Sequence, residues 1–346
     1  MMENTTDVNH ASGCLHSTRV MILAGDIGGT KTLLGLFDPL TARPHAVRQR
    51  TFPTAEFQGL TEMIREFASD AHVKNAAISA ACFGVAGPVL GSTAELTNVP
   101  FTIDAFAVSK AFDIPKVRLL NDLEAMAYAV PVLEGKELHV LQPGEAIRGG
   151  NMTLIAAGTG LGQALLHNVG GHFVPSPTEA GHADWAPRTE RDIAVLRYLI
   201  ERTGRAEVED VVSGGRGLPN LHRVTHLTKE CDAGIDADAA GASAALATAA
   251  LERQCPRCIE ALEIFVDAYG AEAGNAALRS VATGGLFIGG GIAPKILPAL
   301  TDGRFMKALR DKGAMRGLVE SVPVKIILNP DAGLLGAAVH AADLAG

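Results

Sequence analysis

The sequence predicts an α/β protein built as two halves around a cleft, and three observations predict it. Apolar runs of strand length alternate with helical patterns along the chain. One pattern, a strand, a tight glycine turn and a second strand, occurs twice, and each copy opens its own stretch of alternating strands and helices. At 346 residues the chain also exceeds what one core ordinarily holds, so two domains are the natural division.

The first copy runs as a strand over 20–25, a turn over 26–30 and a strand over 32–37. A helical pattern follows at 55–69, a strand at 76–83, a helix at 104–112, a strand at 117–120 and a helix from Asp122. The second copy comprises 152–157, a turn at 158–160 and a strand over 162–167. After it come a long helical middle over about 188–282, a strand at 286–288, a helix from Ala293, a strand at 324–328 and a helix from Asp331. Residues 134–151 carry Gly135, Pro143, Gly144, Gly149 and Gly150 and read as the connection between halves, with the break near 132–150.

Composition narrows the function classes. Hydrophobic residues make up 47% and charged residues 20%, which describes a packed globular chain and not a disordered one. The net charge of −8, with no Lys/Arg cluster, argues against a nucleic-acid partner. Residues 1–20 are polar and include Glu3 and Asp7. They lack the basic start and apolar run of a secretory signal, and the residues before Cys14 are polar too, against a lipoprotein. They read as a disordered tail. No run approaches the roughly 20 apolar residues of a membrane span, so no membrane partner is expected. Five cysteines, an odd number without a secretion signal, point to free thiols and a cytoplasmic setting. Cys255-Pro-Arg-Cys258 has the spacing of half a zinc site or of a redox pair. Its surroundings look helical and no second CxxC or histidine pair completes it, Cys231 and His226 being the nearest candidates. The pair therefore reads as structural.

The glycine turns carry the first functional signal. In Gly25-Asp26-Ile27-Gly28-Gly29-Thr30 the glycines let backbone N–H groups approach phosphate oxygens without a Cβ in the way. Asp26 is placed to hold Mg²⁺, directly or through water, and Thr30 and Lys31 add a hydroxyl and a charge. The motif is neither GxxxxGK[ST] nor a helix-opening GxGxxG. Gly158-Thr159-Gly160-Leu161-Gly162 is the equivalent turn of the second half. Gly289-Gly290-Gly291 separates a strand from a helix expected near Ala293-Pro294, and would let a flat group such as adenine lie on the backbone. A single turn of this kind is also a common structural device; two opening matching halves are stronger evidence.

With Asn121-Asp122 between them, these turns resemble, in order and spacing, the actin-like ATPase superfamily that includes the hexokinases. Glu179-Ala180-Gly181-His182 and Val212-Ser213-Gly214 narrow the resemblance to the bacterial-type glucokinase family, from about Ile22 to the end of the sequence. The resemblance implies two ribonuclease-H-like domains flanking a central cleft: a small one of 21–132 plus 323–346 and a large one of 133–322. It implies ATP-dependent phosphorylation of D-glucose at the 6-hydroxyl, with Mg²⁺, feeding glycolysis. Gly25, Asp26, Ile27, Gly28, Gly29, Thr30, Lys31, Gly158, Thr159, Gly160, Gly162, Gly289, Gly290 and Gly291 would then bind ATP.

Asp122 follows an apolar strand at a helix start, where Asn121 or Asp122 would cap free N–H groups in any protein. The resemblance makes Asp122 the catalytic base. It places Asn121, Glu179, His182 and Glu209 on the sugar hydroxyls, with Asn98 on the first half's side of the cleft. Read from spacing alone, Glu179 and His182 suit a loop turn equally well. ROK-family relatives carry a cysteine-rich zinc loop after a Gly-His segment; here Gly181-His182 is followed by Ala-Asp-Trp-Ala-Pro and no cysteine until Cys231. A repressor would also need a helix-turn-helix before Asp26, which these polar residues cannot build. Two other readings stand beside the leading one: a kinase of the same fold for another hexose or amino sugar, and a non-enzymatic sugar- or ATP-binding regulator. A homodimer fits the resemblance, though no surface signal marks one.

Overall fold

The computed structural model describes residues 20–70, 73, 76–96, 99 and 101–346. The expected tail and Asn98 lie outside the described residues, except that Val20 already belongs to the first strand.

The first half comprises β1 (Val20–Ile27), β2 (Lys31–Asp38), β3 (His45–Pro53), α1 (Leu60–Ala68), β4 (Ala77–Val85), three short strands β5 (Val89–Leu90), β6 (Thr93–Glu95) and β7 (Thr102–Asp104), α2 (Ala105–Phe112), β8 (Lys116–Asn121) and α3 (Asp122–Ala129). Its main sheet runs β3-β2-β1-β4-β8, antiparallel on the hairpin side and parallel from β1 to β8. Helix α1 forms because Leu60, Met63, Ile64 and Phe67 recur at helical spacing and bury one stripe. Asp104 starts α2 by accepting the Phe106 N–H at 2.8 Å.

The second half comprises β9 (Leu138–Gln142), β10 (Met152–Ala157), β11 (Leu161–Val169), β12 (His172–Thr178), α4 (Glu190–Thr203), α5 (Gly217–Thr225), α6 (Ala242–Leu251), α7 (Pro256–Ser280), β13 (Gly285–Gly289), α8 (Leu297–Thr301), α9 (Arg304–Arg310), α10 (Arg316–Ser321), β14 (Val324–Ile327) and α11 (Ala332–Ala345). Its sheet runs β12-β11-β10-β13-β14-β9. Leaving out the antiparallel edge strand β9, both sheets repeat one connectivity: an antiparallel three-strand meander followed by two parallel crossover strands.

Three expectations are corrected. The stretch 134–151 is not plain connection, since it contains β9, which pairs with β14. The helix after the third glycine cluster begins at Leu297, not near Ala293, because residues 290–296 form turns. The partition at residue 323 moves: β14 stays in the second sheet between β13 and β9, and only α11 returns to the first.

Helices α3 and α11 lie between the two sheets. On one side Leu334, Ala337, Ala338 and Ala341 pack on Ile22, Ala24, Cys82 and Leu120 of the first sheet. On the other, Ala127, Ala129 and Leu335 join Leu154, Ala164, Leu166 and Phe287 of the second. The helices touch so closely that a Cβ on Gly336 would lie 1.7 Å from the Ala125 carbonyl oxygen. A polar latch spans the same junction. Arg43, after β2, donates to both Glu137 carboxylate oxygens at 2.7 and 2.8 Å and to the Val132 carbonyl at 2.7 Å, while Asn329 donates to Glu137 at 2.7 Å. No helix among the described residues is long and apolar enough to cross a membrane.

Candidate active site

Parallel pairing brings three strand ends together. Ile27 pairs with Val85 and Val85 with Asn121, so β1, β4 and β8 finish at one edge of the sheet, where open α/β sheets hold their ligands. Asp26 and Asn121-Asp122 therefore meet there because of register. Asn121 caps α3, its Oδ1 accepting the Leu123 N–H at 3.0 Å and its Nδ2 donating to the Gly87 carbonyl at 3.3 Å. Asp122 Oδ1 accepts the same Leu123 N–H at 2.8 Å.

These carboxylates are electrostatically strained. Burial, then the charge of Asp122, pushes Asp26 up to about 6, with Lys31 opposing and Asp331 adding to the rise. Burial also raises Asp122, against the hydrogen bonds from backbone N–H groups that favour its charged form. Gly333, in the first turn of α11, faces Asp26 so closely that a Cβ there would lie 3.0 Å from Oδ2. Asp26 and Asp122 both border the same cavity, and their like charges leave a place where a small hard dication would relieve repulsion.

The opposite wall belongs to the second half. The turn at 158–160 is stitched to the loop behind it: Gly214 N–H donates to the Gly158 carbonyl and Gly215 N–H to the Thr159 carbonyl, each at 2.8 Å. A Cβ on Gly215 would come within 2.6 Å of that Thr159 oxygen, so the approach requires glycine. Glu209 Oε2 accepts the Leu161 N–H at 3.0 Å, and its Oε1 meets Arg216 at 3.1 Å. Arg216 also reaches Glu207 at 3.1 Å and Asp210 at 3.2 Å, making it the hub of three carboxylates. His182 Nδ1 lies 2.8 Å from Glu207, and that hydrogen bond raises its pKa; Glu179 stands 4.0 Å from its Nε2.

A cavity of about 540 Å³ gathers both walls: Asp26, Asn121, Asp122, Gly158, Thr159, Gly160, Gly162, Glu179, Glu209, Gly290 and Gly291 all border it. A second cavity of about 740 Å³ shares Gly158 and Thr159 with the first and extends past Gly215, Arg216, Asn220 and Lys295.

Other expected residues stand elsewhere. Gly25 and Ile27 are buried in the first sheet, where a Cβ on Gly25 would meet the Phe83 ring at 2.6 Å. Gly289 is packed against Met126 and Leu154. Gly28, Gly29, Thr30 and Lys31 form the β1–β2 turn, closed by the Gly28 N–H to the Lys31 carbonyl at 3.0 Å, and do not border the cavity. Glu207, Arg216 and Asp331 were not singled out from sequence. For Glu207 and Arg216 the one available signal is the run of acidic residues at 207, 209 and 210 followed closely by Arg216; Asp331 carries none.

The fold is that of known sugar kinases. A glucokinase from an Antarctic psychrotroph matches with a TM-score of 0.83 at 30% identity, over 93% of this chain and 99% of that one. A ROK family glucokinase from Streptomyces griseus shares the fold alone, with a TM-score of 0.60 at 20% identity over 93% and 99% of the two chains. Curated relatives are closer in sequence: the glucokinase of Nostoc punctiforme is 39% identical over 94% of this chain and 99% of its own, and that of Synechocystis sp. 36% over 93% and 98%. The glucokinase family model matches residues 23–344, and the chain belongs to the glucokinase family.

Proposed function

We propose that this protein transfers the γ-phosphoryl group of ATP to the 6-hydroxyl of D-glucose, in a cleft between two ribonuclease-H-like lobes of residues 20–132 with 331–346 and of 133–330. The repeated strand order supports the two-lobe reading. The observation that carries the functional reading is the single cavity bordered by Asp122 from one wall and the 158–160 turn from the other.

Asp122 is the base. Its carboxylate accepts the 6-hydroxyl proton as that oxygen attacks phosphorus, and the raised pKa makes it a stronger acceptor. Asn121, Glu179 and Glu209 face the remaining hydroxyls; His182, beside Glu179 but off the cavity wall, is favoured in its protonated form by hydrogen bonding to Glu207. The adenosine end of ATP occupies the larger cavity, and the shared Gly158-Thr159 turn guides the phosphates toward Asp122. Asp26, on the cavity wall, would hold Mg²⁺ directly or through water, and the ion would supply neutralisation of charge on the phosphate oxygens. Four free thiols among the described residues suit a reducing, cytoplasmic setting.

Asp122→Asn tests the assignment. Turnover should fall about 10²–10⁴-fold, the usual worth of such a base, while glucose still binds. Calorimetric titration of the variant with glucose reads binding apart from turnover. Near-normal turnover would remove Asp122 from the role. A higher kcat/KM for fructose, mannose or an amino sugar in a coupled assay would overturn glucose as substrate.

A further inference from the structure

The helical layer of the second half assembles a group of donors that the phosphoryl-transfer site does not use. His222 lies in the last turn of α5 and His226 caps its C-terminal end, the two rings stacked 3.9 Å apart. Cys231 follows in the next loop, and Cys255 and Cys258 open α7. The ligating atoms of His222, His226, Cys231 and Cys258 all lie within 4.8 Å of one another. The histidine pair missing from the sequence reading is this His222/His226 pair, four residues apart and so on one helix face.

We propose that His222, His226, Cys231 and Cys258 bind one divalent cation of the zinc class in a closed structural site that ties α5, the loop after it and the start of α7 together. The donors are soft and nitrogenous, two sulfurs and two imidazoles, the set that selects zinc over Mg²⁺ or Ca²⁺. Spacing agrees: two Zn–S bonds of about 2.3 Å at a tetrahedral angle leave the sulfurs about 3.8 Å apart, and Cys231 Sγ lies 3.7 Å from Cys258 Sγ. That separation is far too long for a disulfide.

The tautomer agrees as well. His226 Nδ1 lies 2.8 Å from the His222 carbonyl oxygen and so carries the proton, which leaves the lone pair on Nε2. His222 Nε2 is buried and finds no hydrogen-bond partner among the described residues, on a residue only 5% exposed. A buried ring nitrogen without a partner is what a ligating imidazole looks like before its ion is added. Cys255 stands just behind, its Sγ 3.4 Å from His226 Nε2.

Binding is balanced without an oxidant: two thiols lose their protons to solvent, and two thiolates and two neutral imidazoles neutralise the dication. Arg257, between the two cysteines, donates to the Thr225 carbonyl at the end of α5 and already holds the two helices together. The chain leaving this cluster supplies Asp238 and Ser243 to the 740 Å³ cavity, so the ion would anchor one wall of that cavity from behind.

The test reads metal and not catalysis. Full-length protein produced with zinc and dialysed exhaustively should retain one zinc per chain by elemental mass spectrometry. After chelator stripping, Co²⁺ added alone should give the thiolate-to-cobalt charge-transfer band and the intense visible bands of a tetrahedral site. Losing even an outer-shell partner costs such sites about 10–100-fold in affinity, so Cys231→Ser, at a half-buried position, should weaken zinc binding by more than that. No retained zinc together with no cobalt spectrum would overturn the proposal, as would a Cys231–Cys258 disulfide in the native protein or full zinc retention by Cys231→Ser. Should that variant fail to fold, the cobalt titration of the unaltered protein decides.

Discussion

Asp26 is a carboxylate whose surroundings oppose its charge. Its folded pKa of about 6 lies above the ordinary 3.8, so the folded state binds a proton there that the unfolded chain has already released. The stabilisation from that proton is complete below pH 3.8 and is lost as pH rises through 6. Asp26→Asn should therefore be more stable than the parent at pH 7.5 by about 1–3 kcal/mol, with the gap closing below pH 4. Urea unfolding in a metal chelator measures this; a parent as stable as the variant at pH 7.5 would remove the strain. Replacing chelator with Mg²⁺ should narrow the difference. At this scale Asp26 and Asp122 were legible because each lies beside a glycine turn or at a strand end, whereas Glu209 was reached only through the family resemblance. Glu207, Arg216 and Asp331 were not, because a charged residue in a loop has no periodicity and becomes a partner only when the chain folds back. Of the first turn's residues only Asp26 borders the cavity, and Gly25 and Ile27 face inward, since alternate residues of a strand point to opposite sides.

Between elements, the tightest joint is α3 against α11. Gly336→Ala would place a methyl carbon 1.7 Å from the Ala125 oxygen, so the helices must part. Overpacking of this kind costs about 1–3 kcal/mol or more, and because both helices lie between the sheets, activity should fall with stability. Gly317→Ala in α10, with no atom within 4 Å of the added carbon, is the control and should raise stability by roughly 0.5–1 kcal/mol. Equal thermal shifts for the two variants would refute the packing argument. The apolar strands β1, β2 and β10 were readable from sequence because burial on both faces leaves a largely hydrophobic run, and β11 because it follows the glycine turn after β10. β9 is half-exposed at a sheet edge, and β5 to β7 are two or three residues long, so neither leaves such a run.

Across the whole molecule, the two sheets are joined by apolar helices and by the Arg43–Glu137–Asn329 latch. The Arg43 guanidinium holds Glu137 down at about 2, below the ordinary 4.5. A depressed folded pKa contributes stability above pH 4.5 that is lost as pH falls toward 2. Glu137→Gln should cost about 1.5–3 kcal/mol at pH 7, the range for hydrogen bonds to charged groups, and the two proteins should converge in acid. Parallel acid-denaturation curves separated by a constant amount would show that the latch acts through packing alone. The order of elements has a consequence for synthesis. The fourteen residues of α11 cover the apolar face of a sheet whose first strand left the ribosome some three hundred residues earlier. Until they emerge, Ile22, Ala24 and Cys82 stay bare to water. Both sheets therefore complete their packing only once α11 has been made, since Leu335 joins the second core as Leu334 joins the first.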